Sequence, residues 1–349
     1  MKRLYCLFIL ILYLAISIPS YAQFTINGKN IIYDKQNDTY MACIPEDAFG
    51  KDYEAIILLD IASDWSDLSI DGTQIAYSYT FKQVEGNKLY SIHARKGNKE
   101  INTKITFTFL PLLVLQGSFG YDYAQGSMSL YSSDATEPTL SLIKAKWRGG
   151  TTNTADKHKR NYKIKSINFK GKSQDISLLG MREDNNWILD AGQIDLFRLR
   201  NRIATEIWND FATKPYYASK EPKAKSGVTG KVVEVILNNE YRGIYSLTEA
   251  MDRKELKLKK YDDKNQEFHG QLWKVSSWDK AQFWEIDKDY DNTQETWHAF
   301  ETKYPDIDDV NPTDYSPLYE AIDFVVNSND EAFKKEAGDY FDIPVLIDY

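Results

Sequence analysis

The sequence predicts an α+β protein with an exported leader, a small immunoglobulin-like β-sandwich, and then a longer domain that mixes strands with helices. Three observations predict it. The first 22 residues have the layout of a signal peptide, short strand-like runs between glycine turns fill residues 23–115, and helical spacing appears only beyond residue 128.

The leader opens on Lys2 and Arg3, continues with an apolar run over residues 4–18, and closes on Ser20-Tyr21-Ala22, which puts small residues three and one before Gln23. That run is shorter than a comfortable membrane span, and no later segment approaches one, so a soluble secreted, periplasmic or cell-surface protein is expected after cleavage. Gln23 stands where a lipoprotein would carry cysteine. Of the two cysteines, Cys6 lies in the leader, which leaves Cys43 without a partner and the protein without a disulfide framework. Hydrophobic cores must then hold it together, and its length suggests two domains.

The net charge of −8 excludes nonspecific nucleic-acid binding, which needs a basic surface to displace counterions from phosphate. One local exception is the basic stretch of residues 157–165, Lys-His-Lys-Arg-Asn-Tyr-Lys-Ile-Lys, suited to a compact anion such as a triphosphate.

Within residues 23–115 the runs 55–61, 74–81, 88–93 and 104–115 read as strands. They are punctuated by the turn signals Asn27-Gly28, Asp71-Gly72, Glu85-Gly86-Asn87 and Lys96-Gly97-Asn98. Regular short strands of this kind predict the sandwich. Residues 116–127, rich in Gly, Ser and Tyr, read as a linker, and residues 128–349 as the second domain. There, residues 140–147 and 161–169 bracket the turn Arg148-Gly149-Gly150 as an antiparallel pair. Residues 195–211 place Leu196, Leu199, Ile203, Ile207 and Phe211 on one helix face. Residues 232–237 and 243–247 form a hairpin across 238–242, and 315–327 and 328–338 read as two further helices. At the end, Asp342 caps and Pro344 starts a helix whose apolar side, Val345, Leu346 and Ile347, needs a partner. The expectation is an incomplete second domain.

Familiar catalytic signatures are absent. There is no Gly-x-Ser-x-Gly elbow and no Gly-x-Gly-x-x-Gly loop, and the four histidines are too scattered for a zinc site. Gly171-Lys172-Ser173 has the end of a phosphate loop, but Ser166 occupies the first glycine position, so it reads as a turn. Asp287, Asp289 and Asp291 open like a calcium loop, yet Asn292 and His298 replace its glycine and closing glutamate; a solvated acidic loop is expected. Trp273, Trp278, Trp284 and Trp297 either anchor a core or stack on sugar rings, which keeps a noncatalytic carbohydrate-binding surface protein as the alternative.

Four phrases occur in order: Lys146-Trp147-Arg148-Gly149-Gly150-Thr151 with the return strand Lys159-Arg160-Asn161-Tyr162-Lys163-Ile164-Lys165; the segment 178–189, Leu-Leu-Gly-Met-Arg-Glu-Asp-Asn-Asn-Trp-Ile-Leu; Leu199-Arg200-Asn201; and residues 238–249, Asn-Asn-Glu-Tyr-Arg-Gly-Ile-Tyr-Ser-Leu-Thr-Glu, where Asn239 replaces a glycine. Together they resemble the spore-coat protein H (CotH) kinase family over residues 128–349.

The resemblance implies an atypical protein-kinase-like α+β fold, ATP with Mg2+, and phosphate transfer to hydroxyls of secreted or cell-surface proteins. A basic strand against a glycine turn brings ammonium and N–H groups to phosphates, as the strand lysine and glycine loop of kinases do. Lys165 is the leading candidate for that lysine, with Lys159 and Arg148 second, and Glu249 is placed to pair with a lysine. The resemblance implies that the family's metal ligands and catalytic residue lie downstream of the segment matched by residues 341–349. No catalytic or metal-binding residue is therefore assigned, and residues 23–349 alone are expected not to phosphorylate a substrate.

Overall fold

A computed structural model describes residues 24–59, 66–277 and 282–349; the expected leader, the end of the expected strand 55–61 and Trp278 lie outside the described residues. Two compact units are present. The first comprises the chain up to Arg148 with Lys165–Gln174 and Val232–Tyr245, and the second Gly149–Ile164, Asp175–Lys231 and Ser246–Tyr349.

In the first unit, one sheet has the order Lys29–Asn30, Phe24–Ile26, Tyr53–Leu59, Ser78–Phe81. A second has the order Ile32–Asp34, Thr39–Cys43, Lys99–Thr108, Tyr90–Lys96, Ser66–Ile70, Thr73–Gln74. Alternation puts Ile92 and Ala94 inward and Ser91 and His93 outward, so both sheets supply one core. Phe81 sits at its centre, edge-on to Tyr90 and Phe107 with ring centroids 4.9 and 4.8 Å away. The expected turns form: Asn27-Gly28 and Asp71-Gly72 both take positive φ, which Asn, Asp and Gly tolerate best.

Two expectations are corrected. The single strand at 104–115 is broken into Lys99–Thr108 and Leu112–Gly117, because Pro111 cannot donate to a ladder. The linker expected at 116–127 is strand at both ends and a loop only over 118–123, since Leu112–Gly117 and Ala124–Tyr131 pair from Leu112↔Tyr131 to Gly117↔Gly126. Its glycines serve close packing. A Cβ on Gly126 would fall 2.3 Å from the Gln116 carbonyl oxygen and 2.8 Å from the Phe119 ring.

Seven strands follow the order Leu112–Gly117, Ala124–Tyr131, Thr139–Arg148, Asn161–Ile167, Asn186–Asp190, Glu240–Glu249, Gly230–Leu237 and close as a barrel. The closing pair is parallel, Leu112↔Glu234 to Leu115↔Leu237. Asn238 and Asn239, with φ of 53° and 63°, make the two-residue left-handed turn between the last two strands.

The second unit carries helices α1 (Arg200–Phe211), α2 (Ser316–Asn327), α3 (Asp330–Tyr340) and α4 (Ile343–Asp348). Asn329 caps α3 through the Ala332 N–H, and the Asp342 carboxylate caps α4 as the sequence predicts. Trp297, Phe300, Tyr315, Leu318 and Ile322 form a core against which Trp273 packs, whereas Trp284 is 86% exposed.

The first helix departs from its sequence pattern. It begins at Arg200 rather than 195, because Asp195 accepts the Phe197 and Arg200 N–H groups in a loop where Arg198 has φ of 63°. Its apolar stripe, Ile203, Ile207 and Phe211, is exposed, while Arg202 is buried. Arg202 donates to the Val228 carbonyl at 3.2 Å and pairs with Glu206 at 3.3 Å, in space left by Gly230. Ile207→Ser is accordingly expected to change stability by less than about 0.5 kcal/mol. Arg202→Ala, which takes one of two donors from the Val228 carbonyl and leaves Asn209 as the other at 3.1 Å, should cost about 0.5–1.5 kcal/mol. Urea unfolding of the two variants measures both.

Candidate functional site

Along Asn161–Ile167 burial alternates: Tyr162, Ile164 and Ser166 are buried, and Lys163 and Lys165 lie on the half-buried opposite face. Lys165 Nζ stands 4.9 Å from the centroid of the Tyr123 ring. Lys146 Nζ, from Thr139–Arg148, stands 4.9 Å from the same centroid. The ring attracts each ammonium, but two like charges at one ring favour an anion between or beside them. The Tyr123 hydroxyl is buried without a hydrogen-bond partner among the described residues, and burial pushes it up to about 12. Tyr123 is the last residue of the loop between Leu112–Gly117 and Ala124–Tyr131, at whose base Gly117 and Gly126 lie against the Phe119 ring. In the sequence Lys146 is marked only by its alternation with Lys144 along a strand.

Lys159 belongs to the second unit, on the loop that follows the Gly149 turn. Gly149 has φ of 105°, and a Cβ there would meet Thr152 Oγ1 at 2.2 Å. Arg160 fastens this loop by donating to the Asn153 and Thr154 carbonyls at 2.9 and 2.6 Å. Asn161 then ties it to the next strand by accepting the Ala191 N–H at 2.6 Å. Burial first, and the neighbouring Arg198 guanidinium second, push the Lys159 ammonium down to about 8 against the opposing pull of Asp190. Arg148 is exposed at the end of its strand.

Glu249 ends the strand Glu240–Glu249 and is 1% exposed. Its lysine partner is Lys225, which donates to both carboxylate oxygens at 3.0 and 2.8 Å. The Arg182 and Thr229 N–H groups complete the shell at 2.9 Å each. Burial opposes ionisation, but Lys225 and the two N–H donors outweigh it and hold the carboxyl below the usual glutamate range. A neighbouring network joins Arg182 to Glu255 at 2.7 Å, Asp184 at 2.6 Å and Asp252 at 3.1 Å. Lys254 reaches Asp184 at 2.8 Å. The sequence offered no signal for Lys225, which lies 24 residues from Glu249 in a segment without regular structure.

Asp262, Glu267 and His269 place one ligand atom each within 4.8 Å of one another. Two carboxylates and an imidazole suit a transition metal better than Mg2+, which prefers oxygen ligands and retained waters. This donor set does not fit the Mg2+ of phosphoryl transfer, and no step is assigned to it. Asp287, from the expected acidic loop, pairs with the buried His298 at 3.1 Å.

A mostly β protein with helices that sets two lysines over one ring beside a glycine turn, and elsewhere pairs a buried glutamate with a partly exposed lysine, has features expected of a kinase-like protein. A family model for CotH kinase proteins matches residues 145–349, and the chain belongs to that family. No curated protein matches the sequence.

Proposed function

We propose that this protein is an exported, ATP-dependent phosphotransferase that uses a divalent cation and acts on hydroxyl groups of secreted or cell-surface proteins. The observation that supports it best is the convergence of Lys146 and Lys165 on Tyr123 beside the Gly117–Gly126 turn. In this reading the two ammonium groups hold phosphate oxygens, and the unpartnered Tyr123 hydroxyl supplies a further donor. Lys159, with Arg198 beside it, is a further cationic position within its own unit, and Arg148 lies exposed at its strand's end. Glu249 orders Lys225. Export rests on the leader sequence, and the N-terminal sandwich is read as immunoglobulin-like.

Calorimetric titration of the full chain with ATP and Mg2+ tests the proposal. Lys146→Ala and Lys165→Ala should each weaken nucleotide binding by about tenfold or more while leaving the melting temperature nearly unchanged. Absence of nucleotide binding, or equal binding by the double variant, would refute it. A melting temperature raised by oligosaccharides and not by ATP would favour the carbohydrate-binding alternative.

A further inference from the structure

We infer that the N-terminal sandwich is a fixed brace for the turn that opens the strand Glu240–Glu249, latched by Asp34, and that sandwich and hairpin fold as one unit. Asp34 ends the strand Ile32–Asp34 and is 2% exposed. Its Oδ1 accepts the Gln36 N–H at 3.0 Å and, 207 residues away in sequence, the Tyr241 N–H at 3.1 Å. Its Oδ2 accepts from Asn37 Nδ2 at 2.6 Å. The next residue repeats the tie, as the Lys35 N–H donates to the Asn239 carbonyl at 2.7 Å.

Apolar contact continues beneath these bonds. Ile32 and Met41 of the sandwich share a core with Leu112, Val114 and Ile236. Beside it, Glu234 is 6% exposed and hydrogen-bonded to Thr108 of the sandwich and to Tyr241. The turn is also held from its other side: Asn238 exchanges hydrogen bonds with the Gly117 backbone at 2.9 and 3.0 Å, and Asn239 Oδ1 accepts from Gln116 at 3.0 Å.

A module carried on a flexible tether would not bury a carboxylate against a distant turn, because an unpaired buried acid is costly. Asp34 is thus a positioning residue. It fixes where the strand leading to Glu249 starts, and the sandwich belongs to the working domain although the family match begins at residue 145.

Native-state hydrogen exchange on the full chain tests this. In the unaltered protein, amides of Thr39–Cys43 and of Gly230–Leu237 should open together, with one dependence on denaturant. Asp34→Ala should accelerate exchange at the Tyr241 amide by about tenfold to a hundredfold. Asp34→Asn, which keeps an acceptor, should recover most of that protection. Asn37→Ala, which removes only the local bond, should leave the Tyr241 amide unchanged. Unchanged Tyr241 exchange in Asp34→Ala, or separate opening of sandwich and hairpin in the unaltered protein, would overturn the inference. Should Asp34→Ala fail to fold, the unaltered protein and Asp34→Asn decide the matter.

Discussion

Glu249→Ala is expected to destabilise the protein by about 2–4 kcal/mol at neutral pH, because it leaves two N–H groups without their common acceptor, while the partly exposed Lys225 turns to water and to Thr229. Lys225, the Thr229 amide and the Arg182 amide all converge on this one carboxylate, which is buried at a strand end. Glu249→Gln should cost less, since its carbonyl oxygen still accepts part of the set. The pH dependence has a definite sign. The folded carboxyl lies below its ordinary 4.5, so its contribution is complete above that value and is lost as pH falls through the depressed one. The gap between Glu249→Ala and the unaltered protein should therefore narrow in acid. Urea unfolding at neutral and acidic pH measures it.

Arg182→Ala should be comparably damaging, about 3–5 kcal/mol, for the opposite reason: it strands acids rather than donors. The guanidinium bridges Glu255, Asp184 and Asp252, and the side chains of Asp184 and Glu255 are only 1% and 3% exposed. Burial first and the nearby Glu249 second already raise the Glu255 carboxyl above the ordinary range, with Lys225 and Arg182 opposing. Removing Arg182 raises it further. A carboxyl with a raised folded value binds its proton more tightly folded than unfolded, so stability falls as pH rises. The deficit of Arg182→Ala should accordingly grow as pH rises above the ordinary glutamate value of 4.5, in the same direction as the Glu249→Ala deficit but through an acid that holds its proton rather than one that loses it early. Because Arg182 also donates its backbone N–H to Glu249, the two substitutions should not be additive.

Much of the fold was legible in the sequence. The glycine turns at Gly28, Gly72 and Gly97, the pair around Arg148-Gly149-Gly150, the hairpin over 238–239 and the helices near 316 and 330 all rest on local chemistry, and local chemistry is written in consecutive residues. The family followed from four phrases in order, and the matched span of 145–349 agrees with them. The site was less legible. Lys165 and Glu249 were singled out, but their neighbours Lys146 and Lys225 were not, since pairing across strands and loops depends on register and path.

Sequence alone therefore determined the turns, the hairpin and the later helices, and which residues share a face, because backbone preferences and side-chain periodicity act over a few residues. Tertiary structure alone decided which face is buried and which charges meet. The stripe of Ile203, Ile207 and Phe211 has the spacing of a core face, yet Arg202 is the side chain turned inward, toward a carbonyl 26 residues distant. Both ends of the expected linker became strand for the same reason. Glycine and tyrosine read as flexible in isolation, but Gly117 and Gly126 sit under Phe119 in a paired ladder, where a missing Cβ is a requirement of packing. Periodicity defines faces, and only the closing of distant segments on one another assigns each face to core or water.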